Sequence, residues 1–176
     1  MIKVLVAYAT RHGSTTDIAE KIGDTLQSNG LQADVLSIAD ISTLAGYQAI
    51  ILGSAVYAGQ WEKEAVNFLT RNEHSLAEVP TWFFSSGPTG EGDALELVRG
   101  WRFPEPLLPI ADRIHPRDMM VFHGDIESDR LSFGEKLIIK GVRAKIGDFR
   151  DWEEIKKWTT GVAEAILKEV QPHQTT

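Results

Sequence analysis

A chain of 176 residues, 43% hydrophobic and 24% charged, has an ordinary globular composition and is long enough to bury a sizeable core as one domain. A net charge of −7 argues against general nucleic-acid binding, and the absence of cysteine excludes disulfides, thiolate metal sites and cysteine nucleophiles. No apolar run is long enough to span a bilayer and no signal peptide is expected, since the chain enters a core strand at once; a cytoplasmic location is the expectation.

Ile2, Val4, Leu5, Val6 and Ala7 form a continuous apolar run, the pattern of a strand buried on both faces. It runs into the polar loop Thr10-Arg11-His12-Gly13-Ser14-Thr15, where a helical pattern starts immediately. Such a junction offers unpaired N–H groups, the positive end of a helix dipole and a glycine that lets an anion approach the backbone. Thr10, Ser14, Thr15 and Thr16 add hydroxyl donors, while Arg11 and His12 add positive charge or point to solvent. The alternative is that Ser14 or Thr15 merely caps the helix. No Lys-Ser or Lys-Thr follows the glycine and no second glycine completes GxGxxG, so a nucleoside-triphosphate loop and a dinucleotide fingerprint are both excluded. A monophosphate held by hydroxyls and amides remains.

Ile18, Ile22 and Leu26 then predict an amphipathic helix over 14–29, ended by Gly30. Strands are predicted at Leu31 to Ile38, Tyr47 to Val56, Pro80 to Ser86 and Arg117 to Gly124, with a helix from Glu62 to Leu76. Asp151 with Glu154 resembles a capping box, and Trp152, Ile155, Thr159, Val162, Ala163 and Ile166 give a closing helix its buried face. Gln171 to Thr176 read as a flexible tail. Five strands alternating with helices imply an α/β fold, a parallel sheet covered on both faces.

The loop Thr10-Arg-His-Gly13-Ser-Thr15 resembles the phosphate loop of flavodoxins, and its Thr-Arg-x-Gly-x-Thr form is similar to that of the flavodoxin-type, menaquinone-dependent protoporphyrinogen oxidases. That resemblance runs from Ile2 to about Val170. It implies a flavodoxin-like three-layer sandwich, strand order 2-1-3-4-5, and FMN at the carboxyl ends of strands one and three. It assigns the loop Ser54, Ala55, Val56, Tyr57, Ala58, Gly59 to the flavin ring, with Tyr57 as the stacking aromatic. The polar loop Ser85, Ser86, Gly87, Pro88, Thr89, Gly90 falls beside the ring's pyrimidine edge, or is an ordinary surface loop. Flavodoxins carry a second aromatic there; this loop has none, so another segment covers that face or it stays open.

Residues 125–147 form an insertion. Leu131, Ile138, Ile139, Val142 and Ile146 make an apolar stripe, with Lys136, Lys140 and Arg143 opposite it. The stripe predicts either a helix docked on the core or peripheral contact with an anionic membrane through 131–146. No residue spacing suggests a metal site, and His123 reads as a hydrogen-bonded structural histidine. Three functions remain open: a carrier that docks redox partner proteins through an acidic surface, a dehydrogenase passing electrons from a porphyrinogen to a quinone at the inner face of the cell membrane, and a binding module that has lost FMN.

Overall fold

Strand β1 (Lys3–Ala9) is apolar on both sides, and its Val4, Leu5, Val6 and Ala7 are fully buried. Val4 and Val6 enter the core on one face of the sheet while Leu5 and Ala7 enter the other, as side chains alternate along a strand. The computed structural model describes residues 1–170; the tail predicted at 171–176 lies outside the described residues.

Helix α1 (Ser14–Ser28) buries Ile18, Ala19, Ile22 and Leu26, the stripe its spacing predicts. Each fully buried Ile or Leu contributes roughly 1.5–3 kcal/mol. The helix stops in a Schellman motif: Gly30 is left-handed at φ 84°, its N–H reaches Gln27 O at 3.0 Å, and the Leu31 N–H reaches Leu26 O at 3.1 Å. Strand β2 (Gln32–Ser37) follows and pairs in parallel with β1.

β3 (Ala49–Tyr57) leads through a two-residue turn, Ala58-Gly59, into β4 (Gln60–Trp61), which pairs back on it antiparallel. Both turn residues have positive φ, 50° and 75°, the geometry that two-residue hairpins require. The predicted single helix over 62–76 is two: α2 (Lys63–Arg71) and α3 (Glu73–Ala77). Asn72 breaks it, its side-chain amide and backbone N–H both donating to Phe68 O.

β5 (Thr81–Ser86) is followed by α4 (Ala94–Leu97) and α5 (Leu108–Ile114), then β6 (Met119–Phe122). The segment 125–148 leaves the sheet as β7 (Asp125–Ile126), α6 (Phe133–Gly141) and β8 (Gly147–Asp148), with β7 and β8 paired. Helix α7 (Trp152–Val170) closes the described chain, its start held by the Asp151 carboxylate, which accepts from the Glu153 and Glu154 N–H groups.

The five long strands run parallel in the order β2-β1-β3-β5-β6, the predicted 2-1-3-4-5 once the unforeseen β4 is counted. Helices α1 and α7 cover one face; α2, α3 and α5 cover the other. β3 approaches β5 closely enough that a Cβ at Gly53 would overlap the Phe84 ring. Gly53→Ala should therefore destabilise the protein by roughly 1–3 kcal/mol in urea denaturation. Gly161→Ala, inside α7 with open space around it, should stabilise by roughly 0.5–1 kcal/mol. Equal effects of the two changes would contradict this packing.

Candidate functional site

Parallel strands point the same way, so the loops after β1, β3, β5 and β6 leave the sheet at one edge. There they enclose a cavity of about 530 Å³. Of the residues predicted from sequence, Thr10, Arg11, His12, Ser14, Thr15, Ala55, Val56, Tyr57, Ala58, Gly59, Ser86, Gly87 and Pro88 line it. Gly13, Ser54, Ser85 and Gly90 do not line it. Gly13 makes the turn, at φ 92°, with its N–H donating to Thr10 Oγ1 at 3.0 Å. The Ser54 hydroxyl accepts from the Glu62 N–H at 2.9 Å, and the Ser85 hydroxyl accepts from the buried Trp61 indole at 2.8 Å. Both serines organise the loops without facing the cavity.

Helix α1 begins with no side-chain cap, so neither Ser14 nor Thr15 plays the capping part that was the alternative to phosphate binding. The Thr16 N–H turns back to Gly13 O at 3.1 Å, while the N–H groups before it have no intrahelical partner. Ser14 Oγ accepts from the Asp125 N–H at 3.2 Å, which leaves its proton free to donate. Thr15 is fully buried and its Oγ1 has no hydrogen-bond partner. An unmade bond of this kind costs about 1–3 kcal/mol. A phosphate oxygen seated at the helix start would recover it.

The cations of this loop are committed elsewhere. Arg11 pairs with Glu62 at 3.1 Å and with Glu135 at 3.4 Å, and its guanidinium lies 4.5 Å above the centre of the Tyr57 ring. His12 Nε2 lies 3.2 Å from the same Glu135 carboxylate, and its carbonyl accepts from Arg130 at 2.6 Å. Glu135 is at the third position of α6, in a capping box with Ser132. Hydrogen bonds from the Ser132 backbone and hydroxyl, with His12 beside it, pull its carboxyl from an ordinary 4.5 to about 2. The insertion is thus clamped on the phosphate loop. The signature Ser132-x-x-Glu135 was available in the sequence; its distant partners were not.

In the loop after β3, Tyr57 lines the cavity with Arg11 on one face of its ring. Burial, with Glu135 nearby, raises its phenol above the usual range. Thr89, in the loop expected beside the cavity, contributes a second buried hydroxyl without a partner, Oγ1, to the cavity wall. Trp101 supplies an aromatic that the 85–90 loop lacks. It enters the wall with Leu97 and Val98 after a turn in which Arg99 and Gly100 both have positive φ. His123 is structural, as expected: its two ring nitrogens lie 3.2 Å from Pro88 O and 2.8 Å from Gly92 O, pinning that loop. Arg150, nearly buried, ties both ends of the insertion to α1 through Asp148 and Asp17 at 2.7 Å and Asp125 at 3.5 Å.

The sequence model of the flavodoxin domain matches residues 5–152. The chain belongs to the flavodoxin family. It is 20% identical over 173 residues to the protoporphyrinogen IX dehydrogenase (quinone) of Escherichia coli K12, an alignment covering 92% of this chain and 95% of that protein. Probable flavodoxin 1 of Bacillus subtilis is 35% identical over 91 residues, 49% of this chain and 58% of the other. A solved flavodoxin from the domain Archaea superposes with a TM-score of 0.60 at 15% identity, covering 94% of this chain and 99% of that one. FMN is the cofactor of this family. The two unpartnered buried hydroxyls, the open helix start and the aromatic walls fit its phosphate, ring edge and ring faces.

Replacing Thr15 by valine removes the orphan hydroxyl at constant shape. Stability of the protein without cofactor should hold or rise by up to about 1 kcal/mol, whereas FMN affinity in a fluorescence titration should fall roughly 10- to 100-fold. A loss of both together would make Thr15 structural. Glu135 gives a pH test. Its folded value lies below the unfolded one, so its contribution is complete above about 4.5 and lost as pH falls toward about 2. Glu135→Gln keeps the capping hydrogen bonds and removes the charge. It should flatten the acid limb of the stability curve and speed proteolytic cleavage within 131–146.

Proposed function

We propose that this protein is an FMN-dependent dehydrogenase that passes electrons from a porphyrinogen-type donor to a quinone. The observation that carries the reading is the extra wall of the cavity. Beyond the loops that fit a flavin, Leu131, Ile138, Ile139 and Val142 of the insertion line the same space. A carrier that exchanges single electrons through the edge of its cofactor has no use for an apolar chamber beside it. A reaction with a flat, apolar donor and a lipid-soluble acceptor does. The likeness to the Escherichia coli dehydrogenase along nearly the whole chain supports the same assignment.

Bound FMN supplies the redox chemistry, accepting electrons from one partner and releasing them to the next. The chain's own part is to bind and to shape. In this reading Thr10, Ser14, Thr15 and the first amides of α1 hold the phosphate with neutral donors. Tyr57 covers part of the ring, Trp101 stands in for the missing second aromatic, and Thr89 with the Gly87-Pro88 backbone meets the ring's polar edge. The clamped insertion excludes water from the apolar side. A quinone acceptor places the work at the inner face of the cell membrane, on the cytoplasmic side, by peripheral contact; among the described residues no helix is long and apolar enough to cross a membrane.

FMN-loaded protein should oxidise protoporphyrinogen with a menaquinone analogue as acceptor. Tyr57→Ala and Trp101→Ala should each weaken FMN roughly 2- to 10-fold, the range for one aromatic contact. FMN uptake without quinone-linked turnover would instead make the chain an electron carrier. Failure to take up FMN at all would leave a binding module on the flavodoxin frame.

A further inference from the structure

Helix α6 and its flanks expose apolar side chains to which the rest of the chain gives little cover. Phe133 is 81% exposed, Leu137 57%, Val142 62% and Ile146 57%. Scattered singly, such residues are ordinary on a protein surface; four within fourteen positions form a patch. Phe133 and Leu137 stand four residues apart and so share one stripe of α6. At about 100° per residue, the buried Ile139 points nearly opposite Leu137, toward the sheet edge. The stripe therefore faces outward.

The charges of this segment balance, but they are sorted along its length. Residues 125–148 carry five acidic and five basic side chains. Two of the acids are held inward, Asp125 by Arg150 and Glu135 by Arg11 and His12. Two exposed acids, Glu127 and Asp129, precede α6, and two exposed cations, Arg143 and Lys145, follow it. Glu127 pairs with its neighbour Arg130 at 2.8 Å and stays 48% exposed; Asp129 accepts only from the Ser128 hydroxyl. Asp148, past the cations, is bound by Arg150. Arg143 and Lys145 form no ion pair among the described residues. A surface of one sign calls for a partner of the other. A neutral surface with its signs at opposite ends matches itself reversed.

We propose that this surface binds a second copy of the chain, the two α6 helices packing antiparallel about a two-fold axis at Leu137. Residues equally far before and after 137 then stand opposite one another. Leu137 meets the partner's Leu137. Phe133 meets the partner's Gly141, where no atom stands within 4 Å of the place a Cβ would take. Glu127 and Asp129 fall toward the partner's Arg143 and Lys145, and the symmetry makes each contact twice. Lys136 and Lys140 find no acid there; their stems lie along the contact and their ammonium groups stay in water. One nine-residue helix with its flanks belongs at the low end of specific interfaces, roughly 1,200 Å² or less in total, so the dimer is reversible. Ile138 and Val142 line the cavity, so the partner's helix borders its mouth. The contact is independent of what the cavity does.

Sedimentation equilibrium on the full-length chain supplied with FMN, from about 1 μM to about 1 mM, should show the mass rising from one chain toward two. Leu137→Ala should weaken association at least about fivefold. Asp129→Lys and Lys145→Glu should each weaken it, because each sets like charges face to face, whereas the two changes together should restore it. All three positions are exposed, so the fold, read by circular dichroism in the same samples, should hold. The chain has no cysteine, so Leu137→Cys sets one thiol beside its symmetry mate. Mild oxidation with diamide should cross-link that variant and leave Asp24→Cys, on the exposed surface of α1, as single chains. A one-chain mass at every concentration, or association that the double charge exchange fails to restore, would overturn the proposal. Equal cross-linking at 137 and 24 would overturn it too, as would a chain that stays monomeric while sedimenting with anionic vesicles.

Discussion

The site depends on one constraint: β1 is a parallel strand buried on both faces. A strand in that position has no free edge and no solvated face, so its neighbours must run parallel and be connected by helices. All their carboxyl ends then fall on one side. The register shows the result, with Ala9 opposite Ser54, Ser54 opposite Ser85, and Ser86 opposite Phe122. Four loops distant in sequence start side by side, about 4.8 Å from one strand to the next, because the strands before them are in step.

Within that edge the charges sort themselves by partner. Arg11 and His12 adjoin the phosphate loop, yet two carboxylates, Glu62 and Glu135, already hold them. The donors left facing the helix start are neutral. A dianion held by hydroxyls and amides is recognised by geometry as much as by charge, since each donor has one direction. The cations instead serve shape. Arg11 braces Tyr57, and Arg130 and Arg150 fasten the insertion on either side of α1.

The insertion has two differently packed sides because α6 meets the sheet edge along only one of them. Toward the sheet edge, Ile139 is buried and Glu135 is locked to the phosphate loop. Away from it, Phe133 and Leu137 stand in solvent. A segment tied at both ends, by the β7–β8 pairing and by Arg150, can present apolar groups outward without unfolding, because its anchoring does not rely on burying them.

Much of this was readable from residues alone. Local periodicity carried the five long strands, α1 and α7, because burial of Val4 to Ala7 or of Ile18, Ile22 and Leu26 imposes a spacing that the sequence has to show. The turn after β1 was equally plain, since its left-handed position needs Gly13 and hydroxyls cluster around it. The elements that escaped are those whose reasons are not local. Helix α5 hides behind Pro104, Pro106 and Pro109, although Leu107, Ala111 and Ile114 keep helical spacing and are buried. Strand β4 is two residues long and exists because the Ala58-Gly59 turn folds it onto β3. Ser54 and Ser85 look like cofactor ligands in a string of letters, but partners at Glu62 and Trp61 draw their hydroxyls inward. Trp101 reaches the cavity only because the β5 to β6 crossover brings it round. Residue types and short spacings therefore determined the fold and the turn from β1 into α1, since hydrophobic burial and turn geometry act over a few residues. Tertiary structure alone decided which polar groups remained free for a ligand and which side of α6 met solvent, because both depend on partners on other elements, such as Trp61 for Ser85 and Glu135 for Arg11.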